Sequence, residues 1–366
     1  MADAGYKVTL VGRQLPNSPP VMNQPYEQIR IPCRFQKGKL FYGEYNFKLY
    51  RFLIRQEMDA ICAIDLDTLL PAYRVSKQKK IPRMYDAHEY FTEMIEVKSR
   101  PHIYWLWKKL EKQLVPKFPF GYTVGNAIAY ELKKEYGVSY GLVRNMPRFS
   151  LPDRIIEKQS ESVQQIIKAF ENNTGKKLPI ILYQGAINKG RALPQLLHAM
   201  HHVEGRLLLA GSGNLEKEVA QLIKEEKLHD KVWMCGNVKP SDLRFLTTYC
   251  HIGITIFDAL SLNQYYSLGN KFFDYIMAHK PQVCVNYPEY AAILKQYPVA
   301  HPLEDTQPAT IAQSLNKLLQ DPVLYQNLEE NCIKASKYLC WENEEKTLLA
   351  CWKNLFDSFF LTLDNA

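Results

Sequence analysis

The stretch LPIILYQGAINKGRALPQLLHAM, residues 178–200, holds an apolar run, a glycine, a short basic loop and an amphipathic segment. An apolar run of strand length, closed by a turn residue and followed by a helical period, marks a strand buried on both faces of a parallel sheet. The arrangement recurs downstream in RLLLAGSG (206–213), KVWMCGNV (231–238), HIGITIF (251–257) and PQVCVNY (281–287). Upstream it recurs in KVTLVG (7–12), AICAIDL (60–66), RMYDAH (83–88) and YTVGN (122–126). Helical stretches such as EKEVAQLIKEE (216–226) and NKFFDYIMAH (270–279) lie between them. Strands alternating with helices predict an α/β protein, and 366 residues are enough for two cores. Two doubly wound, Rossmann-like parallel-sheet domains are therefore expected.

The polar segment 154–177, with NNTG inside it, separates the two strand sets and is the expected linker. That places one domain over 1–153, a second over 178–339 and a C-terminal helix over 340–366. The opening MADAGYKVTLVG reads as the last turn of a helix, a Gly5 C-cap and a strand. The first domain is thus expected to start one βα unit late.

The net charge of +8 is unevenly distributed. Residues 1–150 hold 24 Lys and Arg against 14 Asp and Glu, while the remainder holds 22 against 24. A basic half beside a near-neutral half points to an anionic partner or surface for the first domain. The eight cysteines are scattered singly, without zinc spacing, and read as reduced thiols. No apolar run reaches the length of a membrane span and no signal peptide opens the chain, so a cytoplasmic protein is expected.

In an open parallel sheet, ligands bind beyond the carboxyl ends of the strands. Gly185, Lys189 and Arg191 follow one expected strand, Gly211 and Gly213 the next, and Gly236 a third. The segment SLGNKFFDYIMAHKP then brings Asn270, Lys271 and Asp274 to the front of an apolar helix. Two cations with helix N-termini suit a diphosphate, and a carboxylate one turn into a helix suits a ribose diol. Each part has an ordinary structural alternative, a tight turn or a solvated helix-face pair. Their recurrence at successive strand ends favours a nucleotide-diphosphate pocket.

These motifs resemble glycosyltransferase family 4, retaining enzymes of the GT-B fold in which two Rossmann-like domains face a cleft. The likeness runs through YQGAINKGRAL, LLLAGSGN, VWMCGNVKPSDL and GNKFFDYIMAHKPQV, and in the first half through DAICAIDLDTLLPAY, YDAHEYF and LVRNMP. It implies that Asp274 holds the nucleotide ribose, that Arg191 and Lys271 hold the diphosphate, and that His88 lies near the donor sugar and acceptor. Tyr266 falls where the family has a glutamate that contacts the sugar. CWENEEKTLLACWKNLF (340–356) resembles the family's C-terminal crossing helix.

The resemblance implies a metal-independent hexosyltransferase with no cofactor beyond its donor, a nucleotide-diphosphate sugar. A glycan or lipid-linked acceptor, an anionic membrane surface and a peripheral place on the inner face of the cell membrane are expected as partners and location. Nucleic acid is not. A nucleotide-sugar 2-epimerase and a non-catalytic binding protein stay open as alternatives.

Asp65-Leu66-Asp67 imitates a metal-binding Asp-x-Asp motif, but loop capping is the expected role. His198, His201 and His202 read as a solvated helix end without a nearby carboxylate. Glu89 reads equally as a base or a cap. The stretches KGKLFYGEYNFKLYRFLIR (37–55) and HIYWLWKKLEKQLVPKFPF (102–120) interleave aromatics, expected in the core, with lysines expected to meet anionic lipid.

Overall fold

The structure, a computed structural model, describes residues 1–16, 18, 20–152, 161–172 and 178–364. The chain divides into two compact units, one of Met1–Val143 with Lys346–Ala366 and one of Arg144–Glu345.

In the first unit, β3 (Ile61–Ile64), β4 (Arg83–Ala87), β5 (Gly121–Thr123) and β6 (Gly141–Leu142) form a parallel sheet in that order. β1 (Thr9–Gln14) and β2 (Glu27–Pro32) form a separate parallel pair rather than joining it. Before β1 the chain makes a short 3₁₀ turn at Ala2–Ala4, which Gly5 closes in a left-handed conformation. The Gly38–Leu53 helix, in the first aromatic-basic stretch, buries Phe41 and Tyr45 as expected, together with Leu49. Its Leu40 and Phe47 face outward.

The second unit holds β7 (Ile180–Gln184), β8 (Arg206–Ala210), β9 (Val232–Gly236), β10 (Ile252–Thr255), β11 (Gln282–Val285) and β12 (Ala300–Leu303). They form one sheet in the order β12-β11-β10-β7-β8-β9, with every pairing parallel. Strand order reverses between β7 and β10, so the crevice at their carboxyl ends is the topological switch point of a doubly wound sheet.

The apolar sequence of β7 is explained by cover on both faces. Ile181 and Tyr183 pack with Leu207, Leu209 and Ile254, whereas Ile180 and Leu182 pack with Leu208, Phe170 and Phe245. Phe170 lies on a helix, Glu161–Asn172, inside the segment expected to be a linker. Residues 153–160 and 173–177, with most of NNTG, lie outside the described residues.

The Asn270–Met277 helix lies close on the sheet because β10 has no side chain at Gly253. A Cβ there would overlap the Tyr275 ring, whose hydroxyl donates to the Leu182 carbonyl at 2.6 Å. This contact sets the height of the helix and aims its first turn at the switch point. The Trp341–Asp364 helix begins in the second unit, where the Trp341 N–H donates to the Pro147 carbonyl and Glu344 binds Arg144 at 2.7 Å. Its later turns belong to the first unit, where Cys351 lies over Gly141.

Candidate functional site

At the switch point the chain is tightly folded around three glycines. Gly211, at φ 154°, gives its N–H to the Gly236 carbonyl at 2.8 Å, and a Cβ on it would overlap the Gly185 carbonyl oxygen. No side chain fits between these loops, so backbone lines that part of the crevice. Gly213 lies as closely over Ile187 and Asn188, whose Oδ1 accepts the Asn214 N–H at 2.8 Å.

Lys271 reaches this wall. Its side chain passes beside Gly185, and its Nζ stands 3.6 Å from the centre of the Tyr183 ring and 5.6 Å from that of Phe257. Arg191 stacks on the other ring partner, with its guanidinium carbon 4.7 Å from the Phe257 centre. Among the described residues, Lys271 Nζ and Arg191 Nε are buried without a hydrogen-bond partner. Burial, and then the charge of Arg191, hold the Lys271 ammonium well below its usual pKa, against the pull of Asp274. A buried cation costs several kcal/mol unless something anionic meets it; cation–π contact with Tyr183 returns only about 2 kcal/mol. The aromatic walls thus hold two cationic groups, and among the described residues neither Lys271 Nζ nor Arg191 Nε is hydrogen-bonded to a carboxylate.

Arg191 is aimed by strain in the next residue. Ala192 sits at φ 49°, its N–H held by Asp258 Oδ2 at 3.2 Å, while Asp258 Oδ1 takes Gln195 Nε2 at 3.3 Å.

Asp274 lies one turn beyond Lys271 and accepts Gln184 Nε2 on Oδ2 at 2.8 Å. The Thr247 hydroxyl donates to Gln184 Oε1 at 2.7 Å. Burial raises the Asp274 carboxyl to about 6, opposed by the Gln184 hydrogen bond and by the charges of Arg244 and Lys271. Asn270 is exposed at the first position of the helix, and Lys189 is exposed in the loop after β7. The structure thus gathers Gly185, Gly211, Arg191, Lys271 and Asp274, with Gly213 and Gly236 supporting the loops. Sequence reasoning missed Gln184, Thr247 and Asp258. A polar residue closing the all-apolar strand IILYQ was the available signal for Gln184.

His88 belongs to the first unit, just past the carboxyl end of β4. Its Nε2 lies 3.1 Å from Asp86 Oδ2, and this hydrogen bond raises its pKa despite partial burial. Asp65, at φ 55°, accepts the Glu89 N–H on Oδ1 at 3.1 Å, so it caps a loop. Burial, followed by the charge of Glu89, lifts the Asp65 carboxyl to about 7; burial lifts Asp67 to about 6. Among the described residues, no group of three or more His, Cys, Asp and Glu side chains could hold a metal ion.

Residues 164–337 match the family model for glycosyl transferases group 1. The second unit carries a group 1 glycosyltransferase domain. Sugar transfer is the activity that this domain supports. Among solved structures, the chain is similar to sucrose-phosphate synthase from Thermosynechococcus elongatus at 16% identity and TM-score 0.76, covering 98% of this chain and 91% of that one. It is also similar to Anabaena HepE, solved with UDP and glucose, at 13% identity and TM-score 0.70, covering 90% and 86%. WaaG, a glycosyltransferase involved in lipopolysaccharide biosynthesis, matches at 14% identity and TM-score 0.68, covering 94% and 91%. These likenesses establish the GT-B fold. No curated protein matches the chain in sequence.

Two expectations about charged residues need correction. His198 and His201 do have a carboxylate beside them: Glu226 lies 3.5 Å from His198 Nδ1 and 2.8 Å from His201 Nε2. Glu226 is brought there by the helix that folds back after β8, which spacing within one helix does not reveal. Lys108 is not a surface cation. Its Nζ is held by Glu111 at 2.8 Å and Glu135 at 2.6 Å, with the Tyr136 hydroxyl at 2.8 Å. On the same Pro101–Leu114 helix, Trp107 is buried while Trp105, Leu106, Lys109 and Lys112 are exposed. No helix among the described residues is long and apolar enough to cross a membrane.

Proposed function

We propose that this glycosyltransferase moves a hexosyl group, with retention, from a nucleotide-diphosphate sugar to a lipid-linked glycan acceptor in surface polysaccharide synthesis. The observation that carries the reading is the pair of buried nitrogens, Lys271 Nζ and Arg191 Nε, without partners at the switch point. A diphosphate supplies what they lack, and the first turn of the Asn270–Met277 helix adds backbone N–H groups. Asp274 is assigned to the ribose. HepE, of the same fold, was solved with UDP-glucose, which makes UDP-sugars the first donors to test.

In this reading the bond from the anomeric carbon to the diphosphate oxygen loosens, and the electron pair goes to the leaving phosphate. Lys271 and Arg191 stabilise that charge as it grows. The acceptor hydroxyl attacks the same face of the sugar and gives its proton to the departing phosphate oxygen. The chain supplies position and charge, with no covalent intermediate and no metal ion. His88 is assigned to the sugar and acceptor.

Titration with a panel of nucleotide sugars tests the donor; one bound at 100 times its Kd should add about 2.7 kcal/mol of stability. Proton NMR of the product reads the anomeric configuration. Inversion would overturn the retaining mechanism, and activity abolished by EDTA and restored by Mn²⁺ would overturn metal independence.

The first unit is assigned a peripheral place on the anionic cytoplasmic face of the membrane. The exposed Trp105, Leu106, Lys109 and Lys112 on one helix support this, together with the basic first half of the sequence. Charge reversal at Lys109 and Lys112 should weaken binding to phosphatidylserine vesicles by about 1 kcal/mol each and leave nucleotide affinity unchanged. Equal vesicle binding by wild type and variant would remove the membrane from the reading.

A further inference from the structure

Beside Lys271, the end of β7 carries a hydrogen-bonded chain that the assignment of the diphosphate leaves unused. Gln184 ends β7 and is 2% exposed; Thr247 lies on the Pro240–Tyr249 helix and is also 2% exposed. The chain runs from Thr247 Oγ1 to Gln184 Oε1 at 2.7 Å, and from Gln184 Nε2 to Asp274 Oδ2 at 2.8 Å. Among the described residues Asp274 Oδ1 takes no hydrogen bond. A carboxylate with one oxygen tied back presents the other in a fixed direction, as recognition of two adjacent hydroxyls requires.

We propose that Gln184 and Thr247 are positioning residues for the nucleotide ribose: Thr247 fixes the Gln184 amide, and the amide fixes the Asp274 carboxylate. The inference rests on assigning Asp274 to the ribose. A primary amide can face either way, and the hydroxyl decides. Thr247 Oγ1 also lies 2.7 Å from the Leu243 carbonyl, but it has a single proton to give. With Asp274 ionised, Gln184 must turn its NH₂ to the carboxylate, and Thr247 then donates to Oε1. With Asp274 protonated the polarity can reverse: the carboxyl donates to Oε1, the NH₂ donates to Thr247, and Thr247 donates to Leu243. The ribose diol, which donates to a carboxylate, selects the first state.

The charged groups facing Asp274 are Lys271 on its own helix and Arg244 on the helix of Thr247. Tyr275, adjacent in the chain, stays neutral, since burial raises its pKa well above the usual phenol value. The Asp274 carboxylate is lost as pH falls through about 6, where the terminal phosphate of a nucleoside diphosphate also takes up a proton, so the protein's share is read from the shift between variants. The Gln184 bond favours the ionised form, so removing it moves the acid limb of nucleotide binding to higher pH.

The test is calorimetric titration of wild type, Asp274→Asn, Gln184→Leu, Thr247→Val and Thr247→Ser. The titrants are inorganic pyrophosphate and whichever of UDP, GDP and ADP binds wild type most tightly. Gln184→Leu should weaken nucleotide binding about tenfold, the value of one buried hydrogen bond to a charged group, and Thr247→Val, which loses a bond to a neutral amide, about fivefold. Thr247→Ser should restore it. Pyrophosphate binding should be unchanged throughout, and Gln184→Leu should show the raised acid limb. Nucleotide binding lost in Asp274→Asn but unchanged in both Gln184→Leu and Thr247→Val would overturn the positioning role. Pyrophosphate binding lost along with nucleotide in those two variants would show a merely structural role and overturn it as well. Unchanged nucleotide binding in Asp274→Asn, or none in wild type, would overturn the ribose assignment itself and the inference with it.

Discussion

His88 and Lys271 are both basic side chains at the carboxyl edge of a parallel sheet, yet their surroundings are opposite in sign. His88 rests on Asp86, with Asp65 and Glu89 adding negative charge, and is held more basic than usual. Lys271 faces two aromatic rings and another cation, and is held much less basic than usual. A charge already answered by the protein is positioned; a charge left unanswered costs free energy until an anion meets it. Fold alone does not separate the two cases, because both lie where an α/β sheet binds its ligands.

The largest expected effect is at Lys271. Lys271→Met keeps most of the packing and removes the charge, so nucleotide-diphosphate affinity should fall by about 3 kcal/mol while nucleoside affinity changes little. The empty protein should become more stable, since an uncompensated buried cation is gone. Calorimetry and urea unfolding on the same variant read both changes. Lower stability together with retained affinity would erase the contrast with His88.

The first unit answers differently to pH. Asp65 has a folded pKa of about 7, well above the ordinary carboxyl value of 3.8. Its contribution to stability is therefore fully present below the ordinary value and is lost as pH rises through about 7. Asp65→Asn keeps an oxygen for the Glu89 N–H and a side chain of the same size. At pH 8 it should stabilise the protein by on the order of 2 kcal/mol, and near pH 4 by almost nothing. Equal effects at both pH values would mean that Asp65 is not buried as described.

The smallest effect concerns the Asp86–His88 pair. The folded His88 pKa lies above the ordinary value, so its contribution is fully present below that ordinary value and lost as pH rises through the raised one. Asp86→Asn should return the imidazole pKa toward the ordinary value, as NMR titration would show. With His88 partly exposed, the loss of stability should stay under about 1 kcal/mol.

Much of the fold was legible because apolar strands covered on both faces leave continuous apolar runs, as β7, β8, β10 and β11 do. β2, whose EQIRIP alternates with polar residues, was not legible, and β6 and β12 were not either. β6 has two residues, and β12 is an edge strand with Pro302 in it, so neither leaves a run to read. The glycines and cations of the site were legible from their places at strand ends. What surrounds each charge was not: Glu135 reaches Lys108 across 27 residues, and Thr247 reaches Gln184 across 63. Pairings at such separations are made by packing. Lys271 could be read as a candidate from its position, but its lack of a counter-charge belongs to the folded protein alone.

The crowding of Gly211 against the Gly185 carbonyl limits how this site can be diversified in the laboratory. A library meant to change what this crevice accepts would gain nothing by randomising 211, because every side chain there meets the backbone of the neighbouring loop. Variation is better placed at exposed positions such as Ala186, Lys189 and Ser212. The backbone cradle is thus a fixed part to be copied intact, and altered selectivity has to be sought from the side chains around its rim.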